Sequence, residues 1–179
     1  MRVDHFDFDL PPERIAQTPI KPRDAARLLH VGDTLVDLGV RDLPSLLQSG
    51  DALVVNDTKV LPCRLIGKRR DAKVEITLHN PVDTATWLAF ARPARKLKPD
   101  DVIIFADGFE ARVLEKRDAG EVSLTFNHTG PDLMNAFEAH GHMPLPPYIK
   151  RNAAGLDADK SHYQTLFAAA PGAAAAPTA

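Results

Sequence analysis

The chain has 179 residues and a formal net charge of −2, with 44% of residues apolar and 26% charged. That balance supports a buried core and excludes a disordered chain or a global basic field, so any grip on nucleic acid must come from local patches. A lone cysteine, Cys63, excludes an internal disulfide, no apolar run reaches membrane-spanning length, and the acidic opening MRVDHFDFDLPPE lacks the apolar core of a signal peptide, so the protein reads as cytoplasmic.

In chain order, Pro11, Pro12 and Glu13 suit the first turn of a helix that Pro19 keeps short. Arg23-Asp24 precedes an apolar run at 28–31 that reads as a strand. Leu43, Leu46 and Leu47 have helical spacing, with Asp42 at the start and Gly50 just past the end. The apolar run at 52–55 reads as a strand stopped by Asn56-Asp57-Thr58, a common way for an α/β sheet to present chemistry at its carboxyl edge.

After Arg64 the pattern changes. Val74, Ile76 and Leu78 alternate with polar residues in a period of two, residues 87–91 form a second strand and 102–105 a third. Asp107-Gly108 is the strongest hairpin signal in the chain, and its return strand alternates Phe109, Ala111 and Val113. Asp118-Ala119-Gly120 turns again into a strand alternating Val122, Leu124 and Phe126. Five short strands with tight turns predict an antiparallel meander closed into a small barrel. A helix follows, with Pro131 at its first position, Leu133 and Phe137 on one face and Gly141 at its end.

Residues 143–151, MPLPPYIKR, are unlike either pattern. Pro144, Pro146 and Pro147 fix backbone angles and push the residues before them toward extended geometry. The result is a stiff strap presenting Tyr148, Lys150 and Arg151, a phenol and two cations suited to a nucleobase or ribose beside a phosphate, or simply a connector with a solvated basic end. Residues 157–168 have room for a short helix, and 173–176 are low-complexity alanine. The order mixed α/β, all-β, then return predicts an incomplete α/β domain carrying an inserted antiparallel β-barrel. Its limits are 1–65 for the first part of the α/β domain, 66–140 for the barrel with a closing helix, and 141–179 for the return.

Several stretches together resemble one family: DFDLPPERIAQTP, RDAARLL, LVVNDTKVLPCRL, MPLPPYIKR and YQTLFA…PGAAAAPTA. They are similar to the S-adenosylmethionine:tRNA ribosyltransferase-isomerases of queuosine biosynthesis, and the resemblance covers essentially the whole chain. It implies an α/β domain with an inserted β-barrel. It implies transfer and isomerisation of the ribosyl part of S-adenosylmethionine onto 7-aminomethyl-7-deazaguanine at the tRNA wobble position, giving epoxyqueuosine, adenine and methionine. The implied partners are that tRNA and S-adenosylmethionine, which is a consumed substrate; no further cofactor, metal or membrane is implied. The chain departs from the pattern in carrying Cys63 where alanine is usual, Ala26 where serine is usual, and RRDAK in place of a Gly-rich turn before the Val74 strand. The family continues beyond PTA with Gly-Leu-His-Phe, so a truncated chain is expected.

The reaction needs a base for the acidic proton beside the sulfonium. Asp57, next to Asn56, is the expected carboxylate, against the alternative that the two residues form an Asx turn. Arg23, Asp24, Thr58, Lys59, Arg64, Tyr148, Lys150 and Arg151 are the expected substrate contacts, with structural ion pairs as the alternative for Asp24 and Arg64. Lys68, Arg69, Arg70 and Lys73 at the entry to the β segment, and Arg92, Arg95, Lys96 and Lys98 after its second strand, occupy connections of one module. They form a candidate phosphate-binding rim for tRNA, or ordinary solvated faces. Cys63 reads as a buried inert thiol, Trp87 as barrel core, and His140 with His142 as a ligand-like spacing with no further ligand nearby in the sequence. Rival functions are a non-catalytic RNA-binding barrel and a hydrolase or nucleotide-binding domain using Asp57.

Overall fold

Strand β1 (Arg27–Val31) turns through Gly32, whose N–H donates to the Thr34 carbonyl, into β2 (Leu35–Gly39), an antiparallel hairpin. A 3-10 helix, Val40–Leu46, follows; the Asp42 carboxylate caps its entry by accepting the Gly39 N–H at 2.8 Å, and Pro44 lies inside it. The computed structural model describes residues 2–151 and 155–173. The alanine run predicted at 173–176 lies outside these beyond Ala173. The chain divides into two units: residues up to Val54 with Pro146–Lys150, and Val55–Leu145 with the described residues from Arg151 onward.

The run at 52–55 is not a strand. Leu53, Val54 and Val55 are exposed, Val54 at 87%, and strand structure begins three residues later in β3 (Thr58–Val60). Apolar composition favours a strand only where a neighbour supplies hydrogen bonds, and here the neighbour comes from far along the chain. β3 pairs in parallel with β10 (Ala170–Ala173).

Between them lies the barrel. β4 (Arg64–Arg69), β5 (Ala72–Pro81), β6 (Thr86–Arg92), β7 (Val102–Ala106), β8 (Phe109–Lys116) and β9 (Glu121–Phe126) close antiparallel in the order β4-β5-β6-β9-β8-β7. The barrel thus has six strands where the periodicity predicts five. β4 escapes detection because its inward positions are Leu65 and Gly67, and a glycine contributes nothing to an alternation of apolar side chains. Gly67 has a steric purpose. A Cβ there would lie 2.7 Å from the Ile104 carbonyl oxygen and 2.7 Å from the Phe105 ring, so β4 and β7 close the barrel only if this residue has no side chain.

The interior is filled by the alternating residues predicted, including Val74, Ile76, Leu78, Ala111, Val113, Val122 and Leu124, each at most 1% exposed. Helix α1 (Gly130–His140) packs Leu133, Ala136 and Phe137 against this core. Phe137 meets Trp87 edge-on at 5.6 Å and Phe126 at 5.3 Å, contacts that add about 0.5–1.5 kcal/mol each beyond burial. After α1, His142 and Arg64 exchange backbone hydrogen bonds at 2.8 and 3.1 Å, so the chain leaves the barrel module where it entered. The helix expected within 157–168 is a single turn, α2 (Asp159–His162).

Candidate active site

Asn56 and Asp57 lie immediately before β3. The Asn56 Oδ1 accepts the Thr58 N–H at 2.9 Å, which is the Asx turn weighed against it in the sequence. Its side-chain oxygen thus shapes the turn that presents Asp57, while Asn56, expected beside Asp57 as a catalytic residue, keeps its amide nitrogen for other contacts. Asp57 differs. Its carbonyl accepts the amides of Ala169 and Ala170 at 2.7 and 3.0 Å, while its exposed carboxylate has no hydrogen-bond or ion-pair partner among the described residues. A carboxylate on a fixed backbone with no partner of its own is free to reach a proton of a substrate bound beside it. Thr58 is half-buried and Lys59 exposed on β3 beside it.

Two glutamines missed by the sequence reading hold the flanking segments. Gln164 accepts the Val60 N–H on Oε1 at 2.8 Å and donates from Nε2 to the Val60 carbonyl at 3.0 Å. In the other unit, Gln17 donates to the Tyr148 carbonyl at 3.1 Å and accepts the Lys150 N–H at 2.8 Å, fixing the strap. A carboxamide donates from its nitrogen while accepting on its oxygen, which lets one side chain bridge an N–H and a C=O at once. The available signal was the Gln-Thr pair recurring in IAQTP and YQTLFA. Tyr148 is 57% exposed on the strap so fixed. Arg23 begins a 3-10 turn, Arg23–Ala25, and Asp24 within it is exposed.

Two arginines proposed as substrate contacts are engaged internally. Arg151 grips Asp159 through Nε, 3.1 Å from each carboxylate oxygen, and through Nη2 at 3.0 Å from Oδ1, with both side chains largely buried. Asp159 also accepts the Leu156 N–H at 3.0 Å. Arg151, expected as a substrate contact, is thus held by Asp159 in this fold. Arg64 donates to Glu75 at 2.8 Å; that hydrogen bond holds the Glu75 carboxyl below its ordinary range despite opposing burial, with Arg92 and Lys73 adding to it.

The basic residues of the barrel share one end, because β4 and β6 finish there and β5 starts there. Lys68 stands directly opposite Lys73 across the β4–β5 pair, a like-charge juxtaposition that an anion would relieve. Arg70 is exposed in the β4–β5 turn, Arg92 ends β6, and Arg95 and Lys96 lie in the 3-10 turn Ala94–Lys96. Arg69 departs from the expectation: its Nε lies 2.6 Å from Asp101 Oδ2, with both side chains mostly buried. Burial pushes Asp101 up, yet hydrogen bonds from Arg69 and the Lys98 amide and the charges of Arg69 and Arg70 outweigh it and leave the carboxyl lowered.

Cys63 is 1% exposed, and burial pushes its thiol up to about 11 against the opposing effect of a backbone hydrogen bond, the state of an inert core residue. His140 stacks on Phe109 at 5.7 Å, His142 bridges to Arg64, and among the described residues no group of His, Cys, Asp and Glu is placed to hold a metal ion.

Curated relatives match the chain over its whole length. It is 57% identical to S-adenosylmethionine:tRNA ribosyltransferase-isomerase of Rhodospirillum rubrum, covering 100% of this chain and 52% of the relative. It is 52% identical to the protein of the same name from Parvibaculum lavamentivorans, covering 100% of this chain and 53% of the relative. The chain therefore spans about half the length of the curated relatives it matches. A crystal structure of S-adenosylmethionine tRNA ribosyltransferase from Thermotoga maritima is 33% identical, covers 75% of this chain and 48% of that one, and superposes with a TM-score of 0.41. The model of the family described as queuosine biosynthesis protein matches residues 3–179, and by a match of that extent the chain belongs to the queuosine biosynthesis protein family.

Proposed function

We propose that this chain is part of an S-adenosylmethionine:tRNA ribosyltransferase-isomerase acting in the cytoplasm. The reaction moves the ribosyl part of S-adenosylmethionine onto 7-aminomethyl-7-deazaguanine at the tRNA wobble position and isomerises it, forming epoxyqueuosine and releasing adenine and methionine. S-adenosylmethionine is the consumed substrate, and no metal takes part. The observation that carries the reading is the Asp57 carboxylate, exposed and without a partner among the described residues, on a backbone pinned by the amides of Ala169 and Ala170. Asp57 removes the acidic proton from the carbon next to the sulfonium, and the positive sulfur stabilises the carbanion that remains.

Thr58, Lys59, Arg23, Asp24, Tyr148 and Lys150 contact the two substrates, and Lys68, Arg70, Arg92, Arg95 and Lys96 hold tRNA phosphates at the barrel end. The barrel, residues 66–140 with its closing helix, is an insertion in an α/β catalytic domain formed by 1–65 and 141–179. The backbone exchange between Arg64 and His142 supports this, since an insertion needs its two ends side by side. The test is incubation of the full-length protein with S-adenosylmethionine and a tRNA carrying 7-aminomethyl-7-deazaguanine. Epoxyqueuosine in the tRNA with stoichiometric adenine supports the reading. Retention of tRNA indifferent to S-adenosylmethionine, without product, makes the barrel a plain RNA-binding module instead.

A further inference from the structure

The backbone around Asp57 is held by a segment more than a hundred residues away in sequence. The Thr165 Oγ1 donates to the Asn56 carbonyl at 2.8 Å, and the amides of Ala169 and Ala170 donate to the Asp57 carbonyl. Gln164 satisfies both polar groups of Val60, which is 1% exposed. Val60 is almost fully buried, so removing Gln164 takes away the partners of its N–H and C=O where solvent barely reaches. Gln164 is itself braced by α2, with Nε2 3.3 Å from the Lys160 carbonyl, and α2 is tied to the chain by the Arg151–Asp159 pair.

We propose that Gln164 and Thr165 are positioning residues for the Asp57 carboxylate, an inference that rests on reading Asp57 as the base. Because that carboxylate has no hydrogen-bond or ion-pair partner among the described residues, its place is set chiefly by its own backbone. The peptide groups on both sides of Asp57 are fixed from the 164–170 segment: the Asn56 carbonyl by Thr165 and the Asp57 carbonyl by Ala169 and Ala170. The segment acts on the position of the carboxylate and touches neither substrate.

The test uses the full-length protein with saturating S-adenosylmethionine and substrate tRNA. Gln164→Leu and Thr165→Val are expected to lower kcat roughly 10- to 100-fold with KM for both substrates changed by less than about threefold, and Thr165→Ser to restore it. In the double variants with Asp57→Asn, neither substitution should slow the reaction further, because a displaced carboxylate and an absent one are equivalent. Amide exchange in the barrel serves as the folding control, with Val60 alone exchanging faster in Gln164→Leu. An unchanged kcat in both single variants, or losses that multiply with that of Asp57→Asn, overturns the proposal. Full turnover by Asp57→Asn alone overturns the reading of Asp57 and this proposal with it, an outcome that the single variant identifies by itself.

Discussion

Arg69 and Asp101 meet at the seam where the barrel closes, Nε to Oδ2 at 2.6 Å, beside the β4–β7 contact of Lys68 with Ile104. The pair is a brace for the seam and removes Arg69 from the cationic rim. Asp101→Ala should destabilise the barrel by about 2–4 kcal/mol, since it leaves a largely buried guanidinium unpaired. The carboxyls of Asp101 and Glu75 are both lowered in the folded chain. Their contribution is therefore present above the ordinary carboxylate range of about 4 and is lost as the pH falls through their lower folded values. Urea unfolding from pH 7 to pH 3 should show stability falling on acidification, with a shallower fall in the Asp101→Ala variant.

Gly67 makes a second prediction at the same seam. Gly67→Ala drives a methyl group against the Ile104 carbonyl and the Phe105 ring. Denaturation midpoints should report a loss of about 1–3 kcal/mol, with helix α1 still packed on the core.

If the barrel end binds tRNA, its cations contribute unequally. Arg70 lies at a φ of 53°, in the left-handed region, so Arg70→Gly removes the charge while relieving the backbone. That change should flatten the salt dependence of tRNA binding by a slope of roughly 0.7–0.9. Arg69→Ala should leave the slope unchanged and lower the melting temperature instead.

With its thiol pushed up to about 11 and 1% exposed, Cys63 should resist labelling. Ellman's reagent at pH 8 should react at least two orders of magnitude more slowly, roughly, than with an exposed cysteine, and at the ordinary rate once urea unfolds the barrel.

Hydrogen exchange should separate the two units. None of the described residues from 2 to 54 is buried, whereas the barrel holds most of the core. Amides of the β1–β2 hairpin should therefore exchange orders of magnitude faster than those of β5 and β9, with the contrast read directly by mass spectrometry of peptides.

The barrel was legible in the sequence because its signals are local. Alternation in Val74–Ile76–Leu78 reports a face, and Asp107-Gly108 reports a turn that Gly108 makes at a φ of 72°. α1 likewise announces itself through Pro131 and Gly141. The segment around Asp57 was legible only in part. The residue type and the abrupt polar stop were visible, but the strand was placed before the polar triplet instead of within and after it, because its partner, β10, and its surrogate partner, Gln164, lie beyond any local window. The buried ion pairs of Arg69 and Arg151 were unreadable for the same reason: a cation's availability depends on which carboxylate the fold brings to it.

The meeting of Arg64 with His142 bears on the order of assembly. Val60 and Gln164 lie 104 residues apart, and joining them in an unstructured chain means closing a loop of that length. Once the barrel has folded, the backbone exchange at its neck short-circuits most of the loop and lowers the closure entropy by about 1 kcal/mol. The barrel hairpins are local and the β3–β10 pair is long-range, so the hairpins are expected to form first and the parallel pair on top of them. During synthesis the Asp57 backbone takes its final form only after the ribosome has released residue 170, so a chain stalled inside the barrel holds its carboxylate on an untethered segment.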